Sequence, residues 1–506
     1  MNTTRNLLLS LQLRGAKILI EGDKLRYWCP KGAIPPAEIQ DLRAHRLEIM
    51  KLLQTTQPVA TVPLEPPIGS APIPLTASQR MPWYFAEKPH SRTMPFAFRI
   101  SGALDFALLQ RSLDFLMRRH DSLRTRILVG DHPPSLQTTM ARDYHRELID
   151  ITGASARVSE QLAHPLIQEF VDQKVDPSID PLFDTRVFRL ADDDHILVIS
   201  IDHVISDAIT NQILSEELLT LYKQAVTRRP VSLPPVSLQF PDYALQLEKM
   251  YPFWRETHGP YWERRLRAAP SMRFPVDRDT GPKRSPGFAS VTVPIGAQLT
   301  AELVEFSRRE RTPLALVVLS VCVVVISRWC NQTDFIVGLV DSGRHCARLA
   351  RMVGLLASHL HLRFELKANQ TYLDLLEMVK QELHSASYHR DFDWVPSLIP
   401  EFKTEILFNW LSSTSNSGAF VNESNEPLPK IRIKDFPVEL SESATFDYVP
   451  VLPFKLALWC RHIGDELTAG LAYRADLFAA QTIEGVGRNM RICLEETIRQ
   501  PLLSCV

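Results

Sequence analysis

The amino-acid sequence predicts a mixed α/β (α+β) fold, in which a small unit precedes two large lobes. The chain has 506 residues, too many for one ordinary core at roughly 150 residues per domain. Strand-like apolar runs, such as 196–201 and 335–339, alternate with helix-like segments, such as 107–119 and 372–384. This alternation is typical of mixed sheets covered by helices. The sequence has no repeat of fixed period, which argues against solenoids and propellers.

Composition predicts a globular protein of the cytoplasm. Hydrophobic residues make up 45% and charged residues 23% of the chain, as in soluble domains. With a net charge of -1, the chain has no excess of positive charge to neutralise nucleic-acid phosphates. The 7 cysteines include no C-x-x-C pair, which favours reduced thiols. We therefore expect no nucleic-acid partner.

The sequence predicts no membrane segment and no signal peptide. The first residues contain a short apolar run without the small-residue pattern of a cleavage site. The longest apolar stretch, 313–327 (PLALVVLSVCVVVIS), is shorter than the ~20 residues that cross a bilayer. We expect it to be a helix buried on all sides, and we expect no membrane partner.

Residues 1–55 are predicted to form a small unit around a β-hairpin. An apolar helix is expected at 7–13. Strands are expected at 17–21 (KILIE) and 24–28 (KLRYW), because the turn-forming pair Gly22-Asp23 separates them.

The charge of this unit suggests a partner. Its 9 basic and 5 acidic side chains give a net charge of +4. A scattered excess of basic side chains usually indicates only a surface exposed to solvent. However, Lys17, Lys24 and Arg26 lie on the hairpin, whose edge could pair with an added peptide strand. An acidic, extended peptide is the partner that this pattern predicts.

Residues 56–74 are predicted to be a linker. This segment is rich in proline and almost uncharged, a composition that keeps a chain extended and semi-rigid. The two large lobes follow it.

One histidine stands out as a candidate catalytic residue. The apolar run 196–201 (ILVISI) predicts a buried strand, and His203 follows directly after Asp202. A histidine at the exit of a rigid strand is well placed for proton transfer. Asp207, four residues on, could fold back to fix the loop or pair with a distant cation. On this spacing alone, a structural histidine is the more common outcome.

Further motifs give the chain a family resemblance. From 75 onward it resembles the condensation domains of nonribosomal peptide synthetases, whose signature is His-His-x-x-x-Asp-Gly after a strand. Seven segments similar to family motifs occur in the family's order: 76–84 (TASQRMPWY), 119–125 (RHDSLRT), 240–244 (FPDYA), 274–278 (FPVDR), 338–344 with 352–363, 388–398 (YHRDFDWVPSL) and 473–478 (YRADLF).

The resemblance implies two chloramphenicol-acetyltransferase-like lobes in a V-shaped pseudo-dimer, at 75–255 and 256–506, with a tunnel between them. It implies that His203 is the catalytic residue, as general base or as a group that positions the substrate and stabilises charge. The donor would be a thioester on the phosphopantetheine of a carrier protein. No metal and no cofactor bound by the enzyme itself is expected.

The sequence departs from the family pattern near this histidine. Asp202 replaces the first histidine of the signature, and Ala208 replaces its glycine. Ser358 stands where the family commonly has asparagine, so both Ala208 and Ser358 are expected to alter the substrate tunnel. The resemblance also suggests Arg344 as the ion-pair partner of Asp207, with a surface arginine as the alternative. Asp202, Asp207 and Arg344 are therefore the predicted supporting residues.

The first unit has a resemblance of its own, to the β-hairpin docking domains of assembly-line subunits. Such domains bind a short linear motif at the C-terminus of an upstream acyl or peptidyl carrier-protein subunit. The resemblance implies that Lys17, Lys24, Leu25, Arg26 and Tyr27 form the docking surface.

The expected function is that of a stand-alone condensation enzyme, of the kind that releases hybrid polyketide chains such as the enacyloxin type. We expect a monomer that transfers the donor chain to an amine or hydroxyl, on a small molecule or a second carrier. The alternatives are a catalytically silent recruitment domain, which the changes at Asp202 and Ala208 would suit, a coenzyme A-dependent acyltransferase, and an epimerase.

Overall fold

The structure is a computed structural model that describes most of the chain after position 72. The described residues are 17–21, 24–28, 40, 43–47, 49–50, 73–80, 93–129, 134–139, 146–152, 156–173, 175–278, 288–392, 398–399, 402, 404–412, 432–436, 454–463 and 465–504.

The first unit contains the predicted hairpin. Strands β1 (Lys17–Glu21) and β2 (Lys24–Trp28) pair antiparallel, with Ile18 opposite Tyr27. Both predicted strands are confirmed. The predicted helix at 7–13 and the docking side chains lie outside the described residues, as do the side chains of both strands.

Eight helices are assigned in the described part of the larger region. They are α1 (Phe106–Arg119), α2 (Ala156–Val171), α3 (Ala208–Val226), α4 (Phe240–Leu266), α5 (Ala297–Arg309), α6 (Leu314–Cys330), α7 (Tyr372–Tyr388) and α8 (Ala480–Arg499). Helix α6 confirms the predicted buried helix, because every residue from 316 to 326, three full turns, is at most 5% exposed. The predicted helices at 107–119 and 372–384 are confirmed by α1 and α7.

The amino-terminal lobe is built on a five-stranded sheet. Its strands, in spatial order, are β14 (Arg432–Phe436), β4 (Phe96–Ser101), β9 (Asp194–Ile201), β8 (Phe183–Ala191) and β7 (Glu147–Asp150). A smaller sheet has the order β3 (Ile73–Pro74), β6 (Ser135–Thr138) and β5 (Thr125–Leu128). The last two residues of the predicted linker therefore belong to a sheet, because Ile73 is apolar and buried beside Leu136.

The carboxy-terminal lobe is built on a six-stranded mixed sheet. In spatial order its strands are β10 (Phe288–Pro294), β16 (Glu466–Arg474), β15 (Leu456–Ile463), β13 (Ile406–Ser412), β11 (Asp334–Asp341) and β12 (Ser358–Glu365). Strand β11 pairs antiparallel with β12 and parallel with β13. Among the described strands, β12 lies at one edge of this sheet, and the site residue Ser358 is its first residue.

Each lobe has its own hydrophobic core, but the boundary is not a break in the chain. Helix α4 contributes Tyr243 to the amino-terminal core and Trp254 and Trp262 to the carboxy-terminal core. The predicted division between 255 and 256 thus falls inside one helix. Conversely, Leu349 and Met352 lie in the amino-terminal core, so a segment of the second half reaches into the first lobe.

No single helix among the described residues is long and apolar enough to cross a membrane. Helices α5 and α6 taken together are long and apolar enough, but a bend of 106° separates them.

Candidate active site

The candidate catalytic loop follows strand β9, at the point where the buried strand ends. Strand β9 places Ile199 and Ile201 in the core with at most 1% exposure. A single 3-10 turn, His203–Ile205, comes next, and helix α3 begins at Ala208. The loop is short and both of its ends belong to rigid elements. The position of His203 is therefore well fixed.

Asp202 caps the 3-10 turn. Its Oδ1 accepts a hydrogen bond from Val204 N at 2.8 Å, and its backbone carbonyl accepts one from Ser206 Oγ at 3.1 Å. The side chain of Asp202 is buried. An aspartate is among the best residues for such a cap, which gives a physical reason why aspartate is accommodated where the family has histidine.

Gln79 holds the same turn from the other side, although the sequence did not single it out. It is 0% exposed, and its Nε2 donates to Val204 O at 2.7 Å. The Oε1 of Gln79 accepts from Thr76 N at 3.0 Å. The start of the first motif, 76–84, thus supports the catalytic loop; the end of that motif lies outside the described residues.

The imidazole of His203 has a defined tautomer. Its Nδ1 lies 2.5 Å from Ser206 O. A carbonyl oxygen only accepts, so Nδ1 carries the proton and Nε2 carries the lone pair of the neutral ring. Burial lowers the pKa of His203 from its ordinary value of 6.5. The lowered pKa favours the neutral ring at pH 7, and the residue as a whole is half-buried.

Asp207 and Arg344 form a buried ion pair between the two halves of the chain. Arg344 Nη1 lies 2.7 Å from Asp207 Oδ2, and both side chains are 4% exposed. The same oxygen accepts from Leu356 N at 2.9 Å and from Ala357 N at 3.1 Å. Asp207 Oδ1 caps helix α3 by accepting from Thr210 N at 2.8 Å. The carboxylate therefore ties the catalytic loop to the segment that leads into β12.

Gly343 allows that segment to turn beside the ion pair. Its φ of +66° is in the left-handed region, and a Cβ there would lie 2.0 Å from Leu356 O. Only glycine fits a backbone approach this close. The guanidinium of Arg344, the next residue, also donates to Met352 O at 3.0 Å and to Thr210 Oγ1 at 3.0 Å.

The motif at 119–125 forms a second connection near helix α3. Arg119 Nε and His120 Nε2 lie 2.9 and 2.8 Å from Glu217 Oε2, and Glu217 is 1% exposed. Ser122 Oγ donates to Val353 O at 2.7 Å. The motif therefore fastens the end of α1 to α3 and to the segment at Val353, which belongs to the amino-terminal core.

Two further histidines follow Ser358 on strand β12. His359 and His361 alternate with the core residues Leu360 and Leu362, so they share the opposite face of the strand. Burial, with a smaller effect of His203, lowers the pKa of His359 to about 4. Neither residue was singled out from the sequence, although their alternation in SHLHLR was a visible signal.

A small polar cleft lies between the lobes beside this loop. Its wall contains Ser358 from the carboxy-terminal lobe and Thr76 and Tyr243 from the amino-terminal lobe. Ala208 is exposed at the first position of helix α3. The structure therefore brings Asp202, His203, Asp207, Arg344 and Ser358 into one region.

This combination defines a class of protein. It has two lobes with mixed sheets, a neutral histidine on a capped turn, and an ion pair that joins the lobes at that turn. Together they describe a protein of the chloramphenicol-acetyltransferase-like fold with a candidate site where its lobes meet.

The chain belongs to the condensation domain family, whose sequence profile matches residues 70–505. Condensation domains are acyltransferase-type enzymes that form amide bonds; they act on carrier-bound phosphopantetheine substrates and need no cofactor of their own. Residues 5–55 match the TubC N-terminal docking domain. A docking domain followed by a condensation domain implies interaction with carrier-protein partners of an assembly line.

Curated relatives are much longer proteins. Malpibaldin synthetase from Mortierella alpina is 28% identical over 467 residues, which are 86% of this chain and 8% of the relative. The chain thus spans less than a tenth of that relative's length.

Solved structures show the same fold. The chain-releasing condensation domain of the enacyloxin polyketide synthase is 22% identical, with a TM-score of 0.68, and the match covers 98% of this chain and 95% of that one. The X-domain in its complex with OxyB from teicoplanin biosynthesis is 21% identical, with a TM-score of 0.72, covering 88% and 97%.

Proposed function

We propose that this protein transfers an acyl, peptidyl or polyketide chain from a carrier-protein thioester to an amine or hydroxyl acceptor, and that it acts in chain transfer or release. The observation that carries the proposal is the hydrogen bond from His203 Nδ1 to Ser206 O. This bond assigns the ring proton to Nδ1, and the proposal takes Nε2 as the atom that accepts the proton of the acceptor.

His203 serves as the general base in this proposal. As the nucleophile attacks the thioester carbonyl, Nε2 takes the O–H or N–H proton, and a tetrahedral intermediate forms. The carbon–sulfur bond then breaks, and the proton passes from His203 to the departing phosphopantetheine thiolate. The products are an ester or amide and the free carrier thiol. Positioned proton transfer of this kind typically contributes 10²–10⁴-fold to a rate.

Asp202, Asp207 and Arg344 act as positioning residues. Asp202 caps the turn that carries the imidazole. The ion pair of Asp207 with Arg344 holds the end of the candidate catalytic loop against the carboxy-terminal lobe. Ala208 and Ser358 are proposed to shape the space in which the two substrates meet. Ala208 adds a methyl group to an exposed position where the family has glycine.

The donor is proposed to arrive on a separate carrier protein. The match to a docking domain at residues 5–55 supports this step, and so does the hairpin formed by β1 and β2. We propose that a short acidic motif at the carrier's C-terminus adds to this hairpin beside Lys17, Lys24, Leu25, Arg26 and Tyr27. Chain release is supported by the likeness in fold to the chain-releasing domain of the enacyloxin synthase, which extends along 98% of this chain. A monomeric state is proposed.

The test is transfer from a loaded carrier. A carrier protein with an acidic C-terminal peptide and a hexanoyl thioester is mixed with the full chain and a panel of amines and alcohols, and products are identified by mass spectrometry. We expect His203→Ala to lower product formation by at least about 100-fold. His164→Ala, an exposed change on helix α2, is the matched control. Equal rates for native protein and His203→Ala would refute the mechanism, and efficient use of free hexanoyl-coenzyme A would favour the coenzyme A-dependent alternative.

A recruitment domain without catalysis is the second candidate. Asp202 and Ala208 depart from the family signature, and a relative of the same fold is known in a complex with another protein, OxyB. In that case the loaded carrier would bind the full chain in a pull-down, yet no acceptor would yield a product.

A further inference from the structure

Strand β12 places a second histidine close to the candidate catalytic loop. Asp207 ends that loop, and its Oδ2 accepts hydrogen bonds from Leu356 N at 2.9 Å and from Ala357 N at 3.1 Å. His359 lies two residues beyond Ala357, at most about 7 Å further along the chain. On the other side, His203 precedes Asp207 by only four residues. One carboxylate therefore anchors the backbone on either side of the site, close to each imidazole.

The two imidazoles influence each other's charge. Burial, and to a smaller extent the charge of His203, lowers the pKa of His359 to about 4. A positive charge on one ring thus opposes a positive charge on the other. At pH 7 His359 is neutral, and it stays neutral when His203 takes up a proton. Neighbouring groups whose pKa values are pushed apart in this way can take different roles, one as base and one as neutral donor.

His359 has no hydrogen-bonding role in the described fold. No bond from the described residues reaches its ring nitrogens, and neither nitrogen is fully enclosed. Its ring lies against Phe454, with the centroids 5.6 Å apart. On the same strand face, His361 differs, because its Nδ1 lies 2.9 Å from Thr404 Oγ1 and its ring packs edge-on against Phe402. His361 is thus used in the fold, whereas the neutral ring of His359 keeps one N–H donor for another partner.

The proposed transfer reaction creates a partner for such a donor. Attack on the thioester carbonyl gives a tetrahedral intermediate whose oxygen is negatively charged while His203 holds the proton. An N–H already aimed at this oxygen lowers the barrier, because the full charge is absent from the bound thioester. His203 does not fill this place, since its Nδ1–H is bonded to Ser206 O and its second proton is passed to the departing thiolate.

We propose that His359 is a further catalytic residue, whose neutral N–H donates to the carbonyl oxygen of the donor thioester as it becomes an oxyanion. This inference rests on the proposed function and adds to it a residue of the carboxy-terminal lobe. His359 exchanges no proton in the reaction: the proton of the nucleophile passes to His203 and then to the thiolate. The ion pair of Asp207 with Arg344 holds the two lobes together where the two histidines meet.

Two variants separate hydrogen bonding from packing. His359→Phe keeps an aromatic ring beside Phe454 and removes both nitrogens, whereas His359→Gln keeps an N–H donor. With the hexanoyl-loaded carrier and an acceptor that the native protein uses, His359→Phe should lower kcat by about 10²–10³-fold with little change in KM, because an oxyanion donor acts in the transition state. His359→Gln should recover part of this loss. A native kcat in His359→Phe, or an equal loss in both variants, would overturn the proposal.

His361→Asn is the matched control. It alters the next histidine on the same strand face and keeps a side chain that can bond Thr404 Oγ1. We expect a lower Tm but a kcat of the folded protein close to the native value. A loss of kcat as large as that of His359→Phe would contradict the proposal, because it would show that any change on this face disturbs the site.

NMR of the native chain with isotope-labelled histidines gives a readout that needs no turnover and no folded variant at His359. The probe is the same carrier with its hexanoyl group attached through an amide in place of the thioester, which presents the carbonyl without transfer. The imidazole signal of His359 should shift when this carrier binds, while that of His361 stays. Binding without a shift at His359 would overturn the proposal.

The two failures can be told apart. A shift at His359 in a native protein that yields no product from the thioester would refute the proposed function and leave the contact with the carbonyl standing. Product formation that is unaffected in His359→Phe would refute this inference alone.

Discussion

Replacing Arg344 by alanine tests the link between the two lobes most directly. In the native protein the carboxylate of Asp207 accepts from one charged donor, Arg344, and from three backbone amides, those of Thr210, Leu356 and Ala357. Arg344→Ala removes the charged donor and leaves the carboxylate in a site where its side chain is 4% exposed. Breaking one side of a buried pair typically costs about 3–5 kcal/mol.

This loss should be visible in thermal unfolding. A unit of 150–250 residues loses about 2–4 °C of Tm per kcal/mol, so Arg344→Ala should lower the Tm by roughly 6–20 °C. Arg308→Ala is the control, because it breaks a pair with Glu305 in which both side chains are more than 70% exposed. Such a pair is worth at most about 1 kcal/mol. A Tm for Arg344→Ala equal to that of the control would refute the reasoning.

A double-mutant cycle separates the pair from the other bonds of Arg344. Arg344 also donates to Met352 O and Thr210 Oγ1, so part of its loss is independent of Asp207. If the pair is the main interaction, Asp207→Ala combined with Arg344→Ala should cost less than the sum of the single changes, by about 1 kcal/mol or more. Strict additivity would show that the two side chains act separately.

Three other outcomes are expected. Gly343→Ala should lower the Tm and the transfer rate together, because its Cβ would collide with Leu356 O; unchanged values would show that the turn adjusts. Burial lowers the pKa of His359 and His361 to about 4 and about 3. Below their ordinary pKa of 6.5 the unfolded chain binds protons that the folded chain does not, so stability should fall as the pH drops from 6.5, by about 1.4 kcal/mol per histidine at pH 5.5. Urea unfolding at pH 7.5 and pH 5.5, repeated with His361→Gln, measures this, and a pH-independent midpoint would contradict it. Lys24→Glu should weaken binding of an acidic C-terminal carrier peptide in fluorescence anisotropy; unaltered affinity would remove Lys24 from the docking surface.

Local patterns predicted the elements of the fold well. The hairpin was placed correctly because Gly22-Asp23 separates two short strand-like runs. Helix α6 was recognised because a run of 15 apolar and small residues at 313–327 is too long for most strands. In each case the signal lies within a few residues of the element that it predicts.

Contacts between distant segments could not be read in the same way. The roles of Gln79 and Leu356 at the catalytic loop depend on hydrogen bonds across more than 100 positions, for which no local pattern exists. Arg344 was suggested as the partner of Asp207 only by family resemblance, and the ion pair is present. The predicted division between 255 and 256 falls within α4, which continues through it despite Pro252 and Pro260.

The pairing of strand β14 has a consequence for folding during translation. Although it comes late in the chain, it pairs with β4 at the margin of the amino-terminal sheet, with Ile433 opposite Ile100. During translation, the nascent first lobe must therefore wait with the hydrogen-bonding groups of β4 uncovered until residues 432–436 leave the ribosome. An uncovered sheet edge of this kind promotes aggregation. An amino-terminal lobe expressed without the carboxy-terminal lobe should therefore stay soluble only when a peptide containing residues 432–436 is added in trans.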